Sequence, residues 1–163
     1  MQADLRAIAD KPGLVLLDSQ GVERLRLSSS DDGSTVLSII TSEGQATKRR
    51  VDLRAASDGW SALSLLDEKD VERLRVGLAY DGEPRLRMNT TGGKSRISIG
   101  SDMSGRAEVI VHDGSGTERG VLRSAPGGST SLSLYDSEGS AIFSAPGVER
   151  PNGPSGSSNC KAR

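Results

Sequence analysis

Residues 16–27 read LLDSQGVERLRL, and residues 65–76 read LLDEKDVERLRV. Each stretch opens on an apolar pair, passes through Asp-x-x-Gly (Asp70 stands in the Gly place of the second), and continues as Arg followed by alternating apolar residues. Alternation at period two on both sides of a Gly/Asp turn predicts two short antiparallel strands with one apolar face, that is, a hairpin. The same alternation recurs in Leu14 and Leu16 with Leu25 and Leu27, and in Leu63 and Leu65 with Leu74 and Val76. It recurs again in Leu86 and Met88 with Ile97 and Ile99.

Working outward, the hairpin repeats along the chain. The first apolar anchors are Leu14, Leu37, Leu63, Leu86, Val109 and Leu132, at spacings of 23, 26, 23, 23 and 23 residues. A period that regular predicts one supersecondary unit stacked on itself. The copies span residues 13–35, 36–61, 62–84, 85–107, 108–130 and a shortened 131–147. Residues 1–12 read as a partial N-terminal half-repeat, because DLRAIADKPGLVLLD resembles DLRAASDGWSALSLLD at 52–67; a short helix is the alternative there. Residues 148–163 are Pro/Gly/Ser-rich without apolar period and are expected to be a disordered tail. The expected fold is therefore all-β: tandem antiparallel hairpins, about twelve strands, forming a β-solenoid, β-prism or roll.

Turn chemistry supports this register. Asp31-Asp32-Gly33 suits a three-residue hairpin loop with Gly in the left-handed region, which sets Leu27 opposite Leu37. Asp58-Gly59, Asp81-Gly82 and Ser104-Gly105 sit at equivalent places, and Asp18, Asp113 and Asp136 open the turns of the other kind. Copy two carries three extra residues near Lys48-Arg49-Arg50, read as a bulge or a longer turn.

The sheet so built has two rows of aliphatics on one face and Arg, Ser, Glu and Thr on the other. An apolar face must be covered, by rolling up, by folding into two layers, or by packing against further copies. The aromatic fraction is only 2%, so the core is expected to be aliphatic and thin.

The repeat resembles a family of bacterial proteins of unassigned function, built from copies of L-x-L-Y/L-D-x-x-G-K-x-R-x-x-L with a D-G-x turn. The resemblance rests on residues 16–27, 65–76 and 134–146, the last reading LYDSEGSAIFSAP. It implies that this last copy closes the array, with Phe143 where relatives more often carry Trp. It implies no catalytic residues.

Composition narrows the function. Lys plus Arg number 21 against 22 Asp plus Glu, a balance that speaks against a broad grip on nucleic acid. Cys160 is the one cysteine, so no internal disulfide forms. No stretch reaches the roughly 18 apolar residues of a membrane span, and residues 1–13 lack the features of a secretory leader. A cytoplasmic location is the expectation.

Several residues invite a chemical reading. Gly92-Gly93-Lys94-Ser95 resembles the end of a phosphate-binding loop, but Met88 occupies the place of its first Gly and a strand follows, so a hairpin turn is expected. His112 is the single histidine and lacks partners for zinc or for a hydrolytic triad; it is read as solvated. Asp18, Asp31, Asp32, Asp67, Asp81, Asp102, Asp113 and Asp136 are read as turn caps rather than calcium ligands. Asn89-Thr90-Thr91 matches a glycosylation acceptor.

Arg24, Arg50, Arg73, Arg96 and Arg119 recur after the turns and should align as a ladder. One reading is pairing with neighbours such as Glu23, Glu72 and Glu118; the other is a stripe for an anionic polymer or glycan. Trp60 breaks the repeat beside Gly59 and is read as an end-cap of the core or a contact patch. With no catalytic set, no metal ligands and no cofactor expected, the chain reads as a non-enzymatic structural or protein-interaction module. Its expected partners are further copies of itself or another protein, with a glycan as the alternative.

Overall fold

A computed structural model of the chain describes residues 2–8, 11–43 and 46–145. The segment read as a disordered tail, with Cys160, lies outside the described residues. Thirteen strands form one sheet whose spatial order is the order of the sequence, every pair antiparallel. They are β1 (Gln2–Ile8), β2 (Lys11–Leu17), β3 (Glu23–Ser29), β4 (Thr35–Glu43), β5 (Ala46–Ala55), β6 (Ser61–Leu66) and β7 (Glu72–Leu78). They continue as β8 (Pro84–Asn89), β9 (Ser95–Ser101), β10 (Ala107–His112), β11 (Glu118–Ser124), β12 (Thr130–Tyr135) and β13 (Ala141–Ala145). Six copies supply β2 to β13, and β1 pairs with β2 from the segment read as a half-repeat.

Ten of the connections between described strands share one geometry. In the β3–β4 connection the Ser30 N–H donates to the Ser34 carbonyl at 2.8 Å, and the Gly33 N–H donates to the Ser30 carbonyl at 3.1 Å. Gly33 has φ 81°, the left-handed conformation that the three-residue loop requires. The Asp-x-x-Gly turns repeat the same pair of bonds, so the two turn types told apart by sequence are one structure. Leu27 lies opposite Leu37, as the turn chemistry predicts.

The β2–β3, β6–β7, β8–β9, β10–β11 and β12–β13 hairpins each carry a one-residue shift in register, as at Leu16/Leu17, Leu65/Leu66 and Val111/His112, whereas the Asp102–Gly105 turn of β9–β10 has none. The residue left unpaired is Arg24, Arg73, Arg96 or Arg119, and in the last copy Ile142. The copy-two hairpin has the same shift, at Arg50, and then runs on through Thr41–Lys48, Ser42–Thr47 and Glu43–Ala46 pairs. Its three extra residues therefore lengthen a hairpin.

Antiparallel partners directly opposite each other share a face. Three rows consequently cross the sheet from β2 to β13. Leu14, Leu27, Leu37, Leu53 and Leu63 begin one aliphatic row, and Leu16, Leu25, Ile39, Val51 and Leu65 begin the second. Between them on the opposite face runs Val15, Arg26, Ser38, Asp52, Ser64, Arg75 and onward.

Two expectations need correction. Among the described residues no closed roll forms: β1 and β13 stand at the two ends of an open sheet, and each strand makes its substantial contacts with its sequence neighbours alone. Nor do the aliphatic rows make the buried core of the single chain. The most buried side chains, Val15 at 1% exposure and Val121 at 3%, stand with Ile40, Ala62 and Ile110 on the opposite face, beside buried Ser38, Asp52 and Ser64. The reason is side-chain length. Short residues on that face stand directly opposite long charged ones, Val15 opposite Arg26 and Ser64 opposite Arg75, and these pair in turn with Glu23 and Glu72. The aliphatic face has no such cover, and Leu53 remains 52% exposed and Leu122 50%.

Candidate functional site

The ladder arginines sit at the bulges of β3, β5, β7, β9 and β11, at the same ends of all these strands but the longer β5. Arg24 donates through Nε to Asp18 Oδ2 at 2.9 Å, and through Nη2 to the same oxygen at 2.6 Å. Arg73 reaches Asp67 Oδ2 at 3.4 Å and the Asn89 carbonyl at 3.0 Å. Arg119 reaches Asp113 Oδ2 at 2.8 Å, and the carbonyls of Asp136 and Ser137 in the next turn. Arg50 donates to Thr41 Oγ1 at 2.7 Å and to the Asp67 carbonyl. Each of these side chains thus fastens its own turn, the following one, or both. Arg96 differs: it is exposed, and Thr90 takes the place of a carboxylate in its turn.

The pairing is with the turn Asp, not with the Glu beside each Arg. Glu23 instead takes Arg26 in two bonds of 2.6 Å, and Glu72 takes Arg75 at 2.8 Å and the Ser64 hydroxyl at 2.8 Å. The turn aspartates are saturated at the same time. Asp113 accepts the Ser115 hydroxyl and the Ser115, Thr117 and Arg119 donors, which hold its carboxyl well below the usual range, the Ser115 hydroxyl most of all. Asp102 is lowered to about 2, first by the Ser104 hydroxyl and also by the Arg106 donors. In Asp18 the leading cause is the Val22 N–H, and in Asp67 the Lys69 N–H. A carboxylate ringed by its own turn's donors acts as a clasp for the loop.

The other singled-out residues are structural in placement. Gly92 and Gly93 lie in the β8–β9 turn, Lys94 follows it and Ser95 opens β9, with the Lys94 ammonium 3.2 Å from the Ser115 carbonyl. Asn89 is half-buried and its amide donates to the Glu72 carbonyl at 2.9 Å. His112 is half-buried rather than solvated, because it lies in β10 opposite Glu118, and its Nδ1 is buried without a partner among the described residues. Among the described residues no helix is long and apolar enough to cross a membrane.

Trp60 lies in the middle of the array, at the turn between β5 and β6, on the face opposite the aliphatic rows. Its ring stacks against Tyr80 of the next turn on that edge, with centroids 6.3 Å apart and planes 21° apart. Two guanidinium groups flank it, Arg54 at 5.9 Å and Arg75 at 5.3 Å from the ring centroid. Beside this wall lies a trough floored by Ala62 and Gly77 and bordered by Arg75, Arg85 and Arg87. Sequence reasoning named Trp60 but missed Tyr80, Arg75 and Arg87. Their only trace in the sequence is that aromatics are rare and that two of the four fall in neighbouring turns.

No protein-family model matches the chain, and no curated protein matches it.

Proposed function

We propose that the chain is a non-enzymatic structural module that self-associates, two copies meeting through their aliphatic faces. The observation that supports this reading is the open face itself. Its two rows cross twelve strands and contain no charged or polar side chain. Apolar patches beyond a few hundred Å² are rare on monomers that work alone. At about 4.8 Å per strand and two rows of side chains, the face offers about 800 Å². That matches the ~800 Å² per partner of a standard stable interface. A second copy presents rows of the same spacing and the same neutrality, so sheets packed about 10 Å apart would interdigitate along their whole length.

An anionic polymer along the arginine ladder draws less support, since Arg24, Arg73 and Arg119 already serve carboxylates and carbonyls of the chain. Replacing Leu53 and Leu122 together by Lys tests the proposal. Neither side chain is needed to fill a buried space in the single chain, so the variant should keep its strand signal in circular dichroism. Sedimentation velocity should find it monomeric where the unaltered chain is larger. A variant that sediments like the unaltered chain would refute the face as the contact.

A further inference from the structure

Copies two, three and four depart from the repeat at three positions, Trp60, Tyr80 and Arg87, and the fold brings them together around Gly77. The place of Trp60 in its turn is held by Ser34, Glu83, Arg106 and Ser129 in the sister turns. Tyr80 takes the place of Asp31, Ser57, Met103 and Pro126, and is 76% exposed. Gly77 leaves the floor of the trough bare. Arg87 lies in the same row as Arg26 and Arg75, each of which has a Glu three residues before it; at Arg87 that place is Pro84. Arg87 is exposed and has no ion-pair partner among the described residues. Departures that the repeat does not require, gathered at one place, mark a site that the scaffold itself does not need.

The chemistry of the trough is specific. No carboxylate lines it, although acidic residues outnumber basic ones in the chain. Arg85 is engaged by Asp81 and Arg75 by Glu72, which fixes both and leaves Arg87 as the uncommitted cation. The volume, about 200 Å³, is that of one sugar ring, below the several hundred Å³ of a site for larger ligands. Tyr80 presents an open aromatic face, whose negative quadrupole suits the C–H face of a pyranose. Guanidinium pairs in a planar fork with carboxylate.

We propose that this trough binds one uronate unit of an acidic polysaccharide, the sugar ring stacked on Tyr80 and its carboxylate paired with Arg87. The site lies on the face opposite the one assigned to self-association, so either can hold without the other.

Trp60 is the single tryptophan, and its emission reports on the site directly. Tetragalacturonate is titrated into the full chain, followed by fluorescence and calorimetry, with maltotetraose and a thymidine oligonucleotide as comparisons. Saturable binding near the millimolar range is expected for the uronate, and none for the neutral sugar. Arg87→Gln and Tyr80→Ala should each weaken it by about tenfold, whereas Arg96→Gln on the ladder should leave it unchanged. No binding, equal binding of maltotetraose, tighter binding of the oligonucleotide, or full binding by Arg87→Gln would each overturn the assignment.

Discussion

Asp70 is the one non-glycine with positive φ among the described residues, at 59°, in a turn whose sister copies have Gly. An L-residue in that region is strained by about 1 kcal/mol, partly offset by the lower chain entropy it brings to the unfolded state. Asp70→Gly should therefore stabilise the fold by up to about 1 kcal/mol in urea denaturation. The turn aspartates make a second prediction at this scale. Their carboxyls are depressed in the fold, so the stability they contribute is present above the unfolded value near 4 and fades as pH falls through the folded values, about 2 for Asp102. Thermal unfolding should be level from pH 8 to about 5 and fall steadily below about 4. That each Asp caps its turn is legible in the spacing, because an Asp opening a loop that ends in Gly has few other roles. The partner of each Arg was not legible. Arg24 and Asp18 lie six apart and meet only because a bulge turns the Arg toward the loop, whereas neighbouring Glu23 turns to Arg26.

Hairpins are the elements of this fold, and their register was readable because period-two alternation agrees with one turn geometry at ten of the connections. The bulge was not, since one residue more or less beside a turn leaves the alternation on either side intact. The extra length in copy two was legible as an insertion near Lys48, and its form as a longer hairpin became clear from the added pairs. Tight packing between hairpins sets a further prediction. A Cβ on Gly77 would lie 2.0 Å from the Ser61 carbonyl oxygen and 2.6 Å from the Ala62 Cα, both main-chain atoms that cannot swing aside. Gly77→Ala should cost about 2 kcal/mol or more in urea denaturation, with the β6–β7 pairing the first to lose amide-exchange protection.

At the scale of the whole molecule, one layer of thirteen strands leaves a long aliphatic surface in water. The existence of that surface was legible in Leu14 to Leu132, and so was the need to cover it. Which face closes in the single chain was not, because Val15 and Ser38 both stand opposite Arg26 across the sheet, a neighbourhood no linear pattern encodes. The Trp60 trough was hidden for the same reason: Arg87 and Trp60 are far apart in sequence and adjacent only once the strands are in register. The most direct measurement is the mass of the unaltered chain by light scattering, across protein concentrations from about 1 to 100 µM, where an interface of this size should be populated. The proposal predicts twice the 17.1 kDa of one chain over the upper part of that range. A mass of 17.1 kDa at every concentration would contradict it.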